Sequence, residues 1–538
     1  MLNYQKTLLG ILATVVILIV GIQIYLHFFL DEQLKERFVA NFHAATDHSY
    51  NLAVDDLDLQ IFGQQLLISG VNLNSKKNGK APDLRLTLDE LNISGINIFN
   101  FLFWDDLRLK KIDFVDPKVS LTANRKRSSS KKIRWHKFSQ HLSKTVLTIL
   151  DSIFISDITI SGLSVNYNRA DAPVDPYLSI SNSDITLSNI TIDSTSLKDH
   201  RIVPAQDIEV TSQNLRWQPP NGLYNISVAQ FEFSSSDSTI QVNNFSVIPK
   251  LEKGAFSKKV GHEIDRVNLG VQQIKGEQID LDRANSAEGI AAGLISIENA
   301  DLDIYRDKRR SDPAKSNKPL PREMIQNIPF PIALDSIRIT ESTIRYSERV
   351  QNADKAGYVE FANLSASFLN LTNIESRWKN NTPTLRAETK VMDKARLSIH
   401  FTFFMAGKEN RQHITGHLQP MNMQPLNHAL EPLAFIRIDK GQILGLDFDM
   451  NLSEKQAGGT LTLQYEDLKI SLLDKGGSEE NFGNKAKSFL ANTFKIKSEN
   501  KGTQPRVAKV DFKRIKEKSV FNYWWKSLLS GLKESIGL

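Results

Sequence analysis

The spacing of hydrophobic positions changes twice along this chain. From Leu8 to Leu30 the sequence LLGILATVVILIVGIQIYLHFFL is apolar throughout, interrupted only by Thr14, Gln23 and His27 and by no formal charge. As a helix this run extends about 35 Å, enough to cross a hydrocarbon core of about 30 Å. It exits into the bulky YLHFFLDE rather than a small-residue cleavage site, which separates it from a secretion signal. The run is expected to be a membrane anchor, with Leu8, Ile11, Val15, Ile19, Ile24, Phe28 and Leu30 as its anchoring residues. Lys6 precedes it, and Asp31, Glu32 and Glu36 outnumber Lys35 and Arg37 after it. The positive-inside tendency therefore predicts a cytoplasmic N-terminus and a body on the far side of the membrane. Leu34, Phe38 and Phe42 then recur at i, i+4, which predicts an amphipathic helix over 31–50.

Beyond this point the period drops to 2. DDLDLQI alternates at Leu57, Leu59 and Ile61, and DLRLTLDELNI at Leu84, Leu86 and Leu88, then Leu91 and Ile93. LYNISVAQFEF, RLSIHFTF and GTLTLQY repeat the pattern further on. Alternation of this kind predicts strands with one apolar and one polar face. Three runs share the form I-S-G-apolar-x-apolar: ISGVNL (68–73), ISGINI (93–98) and ISGLSV (160–165), with LSNITI (187–192) and ITESTIRY (339–346) as looser versions. A Gly or Asn between two alternating segments suits a bulge with positive φ, so each unit reads as strand, kink, strand.

Two segments break the alternation. NRKRSSSKKIRWHK (124–137) carries Arg125, Lys126, Arg127, Lys131, Lys132, Arg134 and Lys137 and no acid. It reads as a solvated loop or as a stretch drawn to anionic headgroups, and helical spacing follows it to Leu150. The second break, 306–331, holds five of the eighteen prolines and reads as a linker. The predicted plan is a cytoplasmic tail and anchor over 1–30, a juxtamembrane helix over 31–50, and a first β-rich region over 51–305 with the basic loop and a helix near 124–151. A Pro-rich basic linker over 306–331, a second β-rich region over 332–513 and a C-terminal amphipathic helix over 514–538 complete it.

In that last helix Phe521, Trp524, Trp525, Leu528, Leu529, Leu532 and Ile536 share one side with Val520. Asn522, Tyr523, Lys526, Ser527, Ser530, Lys533 and Glu534 fill most of the other, and Gly531 and Ser535 are small residues near the apolar side. Eight buried apolar groups amount to about 12–24 kcal/mol of gross burial, so this face needs a counterpart. Two are open: the end of the sheet, which the helix would cap, or a membrane surface, with tryptophans at the interface and lysines on phosphates.

Composition narrows the function. The net charge of +6 over 538 residues is modest and not gathered into one module, which argues against a nucleic-acid binder. There is no cysteine, so disulfides, thiolate metal sites and cysteine nucleophiles are excluded. No G-x-S-x-G, HExxH, Walker or dinucleotide fingerprint occurs. His413 and His417 in HITGH sit in an alternating context that favours strand or turn over a helical metal pair. Asp55, Asp56 and Asp58 lack the glycine and terminal Glu of a calcium loop. Neither an enzyme nor a cofactor or metal site is expected. What remains is architectural: an apolar face covered either by a second sheet layer or, if the sheet curls, by lipid.

The order of parts resembles the AsmA-like envelope proteins of Gram-negative bacteria. The matching stretches are VDDLDLQIFGQQLLISGVNL, LRLTLDELNISGI and LRLKKIDFVDPKVSL near the start. In the second half they are IALDSIRITESTIRYSER, FANLSASFLNLTN, MNMQPLNHALEPLAFIRIDKGQILGLDFDMNL, GTLTLQYEDLKISLL and the terminal VDFKRIKEKSVFNYWWKSLLSGLKESIG. The resemblance covers about 1–121 and 330–538; the middle is read by pattern alone. It implies a mainly β fold: an inner-membrane helix, then an elongated, curled, taco-like sheet with a hydrophobic groove and a few amphipathic helices. It also implies a periplasmic body, a role in phospholipid traffic or outer-membrane homeostasis, and membrane lipid and envelope proteins as partners. In such a fold Leu57, Leu59, Ile61, Leu84, Leu86, Leu88, Ile226, Val228, Leu397, Ile399, Phe401, Leu461 and Leu463 are the candidate groove-lining residues. The other reading of the same features is a structural or assembly scaffold without lipid cargo.

Overall fold

The computed structural model describes residues 31–45, 50–60, 63–75, 83–96, 106–123, 152–169, 177–193, 203–281, 283, 289–311, 317–378, 382–407, 409–473 and 496–537. The anchor run 8–30, Ile61 and the basic segment with its expected helix at 124–151 lie outside these residues. Among the described residues no helix is long and apolar enough to cross a membrane. The described chain is mainly β, with 22 strands of mixed sheet and five α-helices, the last at the C-terminus. It divides into two compact units: Met1–Pro220 with Ile226–Val242 and Leu281–Ala287, and Asn221–Asn225 with Asn243–Asp280 and Glu288–Leu538. The Pro-rich 306–331 segment lies inside the second unit.

The first unit opens with α1 (Asp31–Ala45), β1 (Tyr50–Ala53), β2 (Asp56–Gln60), β3 (Gln65–Ser75) and β4 (Asp83–Ser94). It continues with β5 (Asp106–Val115), β6 (Lys118–Ala123), β7 (Ser152–Arg169), β8 (Leu178–Ile192), β9 (Asp207–Trp217) and most of β10 (Tyr224–Ser234). Neighbours in sequence pair antiparallel, except that β5 and β6, both antiparallel to β4, lie parallel to β7. A parallel neighbour requires a crossover of a dozen or more residues. The chain between β6 and β7 runs through residues 124–151, which lie outside the described residues.

The second unit holds most of β11 (Thr239–Pro249), then α2 (Lys253–Val260), β12 (Asp265–Ile279), β13 (Ile290–Asp307), α3 (Pro321–Gln326), β14 (Ile332–Arg349) and β15 (Gly357–Thr372). After these come β16 (Thr384–Val391), β17 (Ala395–Phe404), β18 (Arg411–Leu418), β19 (Met421–Asn422), α4 (Asn427–Ala434), β20 (Ile436–Leu452), β21 (Gln456–Leu472), β22 (Ala508–Lys513) and α5 (Val520–Ile536). Here too one pair, β13 and β14, is parallel, and its crossover is the Pro-rich break. Far from being a bare linker, the break contributes Leu320, which has no solvent exposure, to the core, and α3 buries Ile325 against Trp378 and Met405. Both interruptions of the alternation thus coincide with the points where strand direction fails to reverse.

The I-S-G repeat is a backbone device. Gly70, Gly95 and Gly162 have φ of 61°, 69° and 70°, and the residues at the same place in the looser copies, Asn189 and Glu341, have 55° and 51°. A Cβ at Gly95 would lie 2.3 Å from Lys110 Cβ and 3.1 Å from its backbone N, so glycine is favoured there by space as well as by φ. Left-handed residues of this kind let the alternation restart out of phase without losing its face. In a regular strand an odd spacing puts side chains on opposite faces. Yet Phe361 and Phe368, seven apart on β15, pack on the same cluster, with Asn363 (φ 49°) and a register shift between them. Tyr465 and Leu468, three apart on β21, do the same around Asp467 (φ 57°).

Candidate functional site: the apolar face of the sheet

In the second unit the apolar face is full. Along β20, Leu446, Phe448, Met450 and Leu452 are buried while Asp447, Asp449 and Asn451 are exposed. Leu461, Leu463 and Phe401 are 0%, 5% and 8% exposed within this core, and Leu397 and Ile399 pack half-buried against it. Phe368, Phe403 and Phe401 stack at 5.6 and 5.9 Å between ring centroids, and the Trp524 ring lies 4.9 Å from Phe401. All five groove candidates of this unit therefore meet protein.

The covering piece is α5. Ser519 caps it, accepting from the Asn522 N–H, and Gly537 ends it in the left-handed conformation. Its buried seam is Tyr523, Ser527, Gly531 and Ser535, spaced one helical turn apart. Small residues let the helix backbone settle on β21 and β22: a Cβ at Gly531 would stand 2.9 Å from Leu461 Cβ and 3.0 Å from Val510 Cγ2. Trp524, Leu528, Leu532 and Ile536 flank the seam and pack on the core, and Trp524 Nε1 donates to Gln412 Oε1 at 2.9 Å. Tyr523 Oη donates to the Ser453 carbonyl at 3.1 Å, and burial pushes this hydroxyl up to about 12.

The helix also occupies the edge of the sheet. The Lys509 and Asp511 N–H groups of β22 donate to Glu534 Oε2 at 3.0 Å and Ser530 Oγ at 3.2 Å. Side chains take the place that another strand would hold. The predicted apolar half of the helix is thus divided. Trp524, Leu528, Leu532 and Ile536 face protein and Leu529 is half-buried, whereas Phe521 and Trp525 stay 69% and 51% exposed.

An open groove on this unit has charged side chains, among them Arg338, Arg386, Glu388, His417 and Asp447, together with Ile339, Ile399 and Phe448 in its lining. His413 and His417 are on strand β18, each against a β20 carboxylate: His413 Nε2 is 2.9 Å from Asp449 Oδ1 and His417 Nδ1 2.7 Å from Asp447 Oδ1. They hold neighbouring strands together on the solvated face.

The first unit differs. Leu57 is buried with Leu52, Val54 and Ile68, under Val39 and Phe42 of α1. Leu88 is 5% exposed, and Leu59, Leu84, Leu86, Ile226 and Val228 are half-buried. The cross-strand register reveals more than these positions. Leu57, Ile68, Leu91, Phe114, Ile160, Ile185, Val210 and Phe233 stand directly opposite one another in turn on eight consecutive neighbours, β2 through β10. A second row, Leu59, Leu66, Ile93, Ile112, Ile158, Leu187 and Ile208, runs beside it. No polar side chain interrupts either row. Beyond Leu57 and Ile68 every member is half-buried; Ile93, Ile112, Ile158, Leu187 and Ile208 pack at the margin of a small buried cluster of Leu109, Ile153, Ile155, Ile190 and Ala205, and Leu66 and Leu91 against the Leu57 cluster. The groove-lining candidates include only Leu57 and Leu59 of these fifteen, although the alternation also marks Leu91 and Ile93. The missed signal was in the repeat, since Ile68, Ile93 and Ile160 are the first residues of the three I-S-G runs.

No family model matches the chain, and no curated protein matches it. Among solved structures it is similar to the crystal structure of a sex pheromone staph-cAM373 precursor, at 8% identity, covering 65% of this chain and 90% of that one. The TM-score is 0.14, too low to carry a statement about fold or function.

Proposed function

We propose that this chain is an inner-membrane-anchored periplasmic protein of the AsmA-like kind, which shields lipid acyl chains on the apolar face of its first unit. It would thereby contribute to phospholipid transport and outer-membrane homeostasis in a Gram-negative envelope. The observation that supports this reading is the pair of unbroken apolar rows. An acyl chain in water loses about 0.8 kcal/mol per exposed CH₂, so a lipid leaves a bilayer only along a continuous apolar track. Seven inter-strand steps of about 4.8 Å make the longer row about 34 Å, against about 30 Å for a whole hydrocarbon core. The bulges keep strand irregularities from flipping the face, and the curled groove belongs to the same proposal.

A photoreactive residue at Ile158 or Val210 of the full chain, activated in cells, is expected to yield phospholipid adducts by mass spectrometry. The same residue at Leu463, inside the filled core, is expected to yield none. Equal labelling at all three positions, or none anywhere, would remove the proposal. A second reading, a non-lipid assembly scaffold of the cell envelope, draws on the filled face of the second unit. Stoichiometric protein crosslinks at Val210 in place of lipid adducts would establish it.

A further inference from the structure

The division of α5 leaves one stretch of apolar surface unaccounted for. Because the seam Tyr523–Ser527–Gly531–Ser535 is fixed against β21 and β22, the orientation of the helix is fixed too. At about 100° per residue, the arc opposite the seam carries Phe521, Trp525 and Leu529 on one half and Asn522, Lys526 and Lys533 on the other. Phe521 and Trp525 are exposed, as are both lysines. Glu534 is not on this arc, being engaged with the Lys509 N–H at the sheet edge. Across 512–533 six basic residues accompany a single acid, Glu517, and the segment before the helix adds exposed Lys513, Ile515 and Lys516.

We propose that α5 docks on an anionic bilayer surface, Phe521 and Trp525 entering the interface and Lys526 and Lys533 lying on lipid phosphates. Size and charge favour a bilayer over a protein. Two aromatic side chains at these exposures offer on the order of 250 Å², well below the ~800 Å² per partner of a stable protein interface. Interfacial helices, by contrast, are held by a few aromatic residues with lysines beside them. The inference stands independently of lipid capture by the first unit, because it concerns a helix whose inner face is already filled.

The absence of cysteine makes the test direct. In the full chain, held in neutral nanodiscs, Leu529→Cys labelled with an environment-sensitive fluorophore is expected to shift to the blue on adding phosphatidylglycerol-containing vesicles at low salt. Asp447→Cys, on the polar face of the same unit, is expected not to respond. Phe521→Ser with Trp525→Ser removes mainly exposed surface, Phe521 giving up only its edge-on contact with the Trp524 ring at 5.3 Å, so the unfolding transition should move little while vesicle affinity falls at least ~10-fold, with high salt acting in the same direction. Lys526→Glu with Lys533→Glu should abolish the preference for anionic over neutral vesicles. No shift at low salt, or an equal shift on neutral vesicles, would overturn the proposal. So would a vesicle-independent shift that grows with protein concentration, which would seat a second copy on the stripe.

Discussion

Leu59 and Leu461 are indistinguishable by local pattern. Each sits in a run of alternating leucines with Asp, Gln or Thr between them, and each belongs to a strand with an apolar and a polar face. Their surroundings are opposite. Leu461 has no solvent exposure and lies beneath the closest approach of α5, while Leu59 is half-buried in a cross-strand row that keeps partial exposure along its length. The difference teaches that alternation specifies a face but not its counterpart. In the second unit the counterpart is supplied by the chain itself, through a helix with a small-residue seam. In the first, the row of side chains is packed only in part by its own chain and stays half-buried.

The sharpest test of this contrast is a charge at each place. Leu461→Asp puts an unpaired carboxylate into a full core and is expected to cost more than about 4 kcal/mol, unfolding the second unit in a denaturant titration. Ile158→Asp, in the half-buried row, is expected to cost less than half as much and to abolish lipid adducts instead. Equal destabilisation would erase the distinction between the two faces. A subtler probe is Gly531→Ala, whose methyl must displace Leu461 or Val510. The expected cost is about 1–3 kcal/mol, seen as easier proteolysis at the C-terminus with the first unit unaffected. The smallest effect is silent at neutral pH. Burial raises the Tyr523 hydroxyl from its ordinary value near 10 to about 12, so the folded state favours the neutral phenol. That contribution is complete below pH 10 and declines as pH rises toward 12. Stability of the second unit should fall across this window, and Tyr523→Phe should make that alkaline decline shallower at the cost of the Ser453 hydrogen bond, the remainder belonging to Tyr305, Tyr346 and Tyr465, whose hydroxyls burial also raises.

Much of the local architecture was legible in the sequence. Period-2 leucines marked strands, and the I-S-G glycines marked positions of positive φ, because a missing Cβ is a backbone statement that needs no tertiary context. Parallel pairing was not legible. The 124–137 and 306–331 segments announced themselves only as breaks, since nothing local to a loop states whether the next strand reverses. The seating of α5 was misjudged for a physical reason. Hydropathy ranks Phe521 and Trp525 above Ser527 and Gly531, but a helix lying tight on a sheet is decided by how near its backbone can come, and there small residues win. The two rows of the first unit were hidden because a row is a property of register, and register is set between strands rather than along them.

The pairing of β22 with Ser530 and Glu534 has a consequence beyond stability. A sheet is a polymer of strands, and an uncapped edge is a growing end. Here the last strand carries its own terminator, so along Lys509–Asp511 a further strand cannot pair without first evicting the helix.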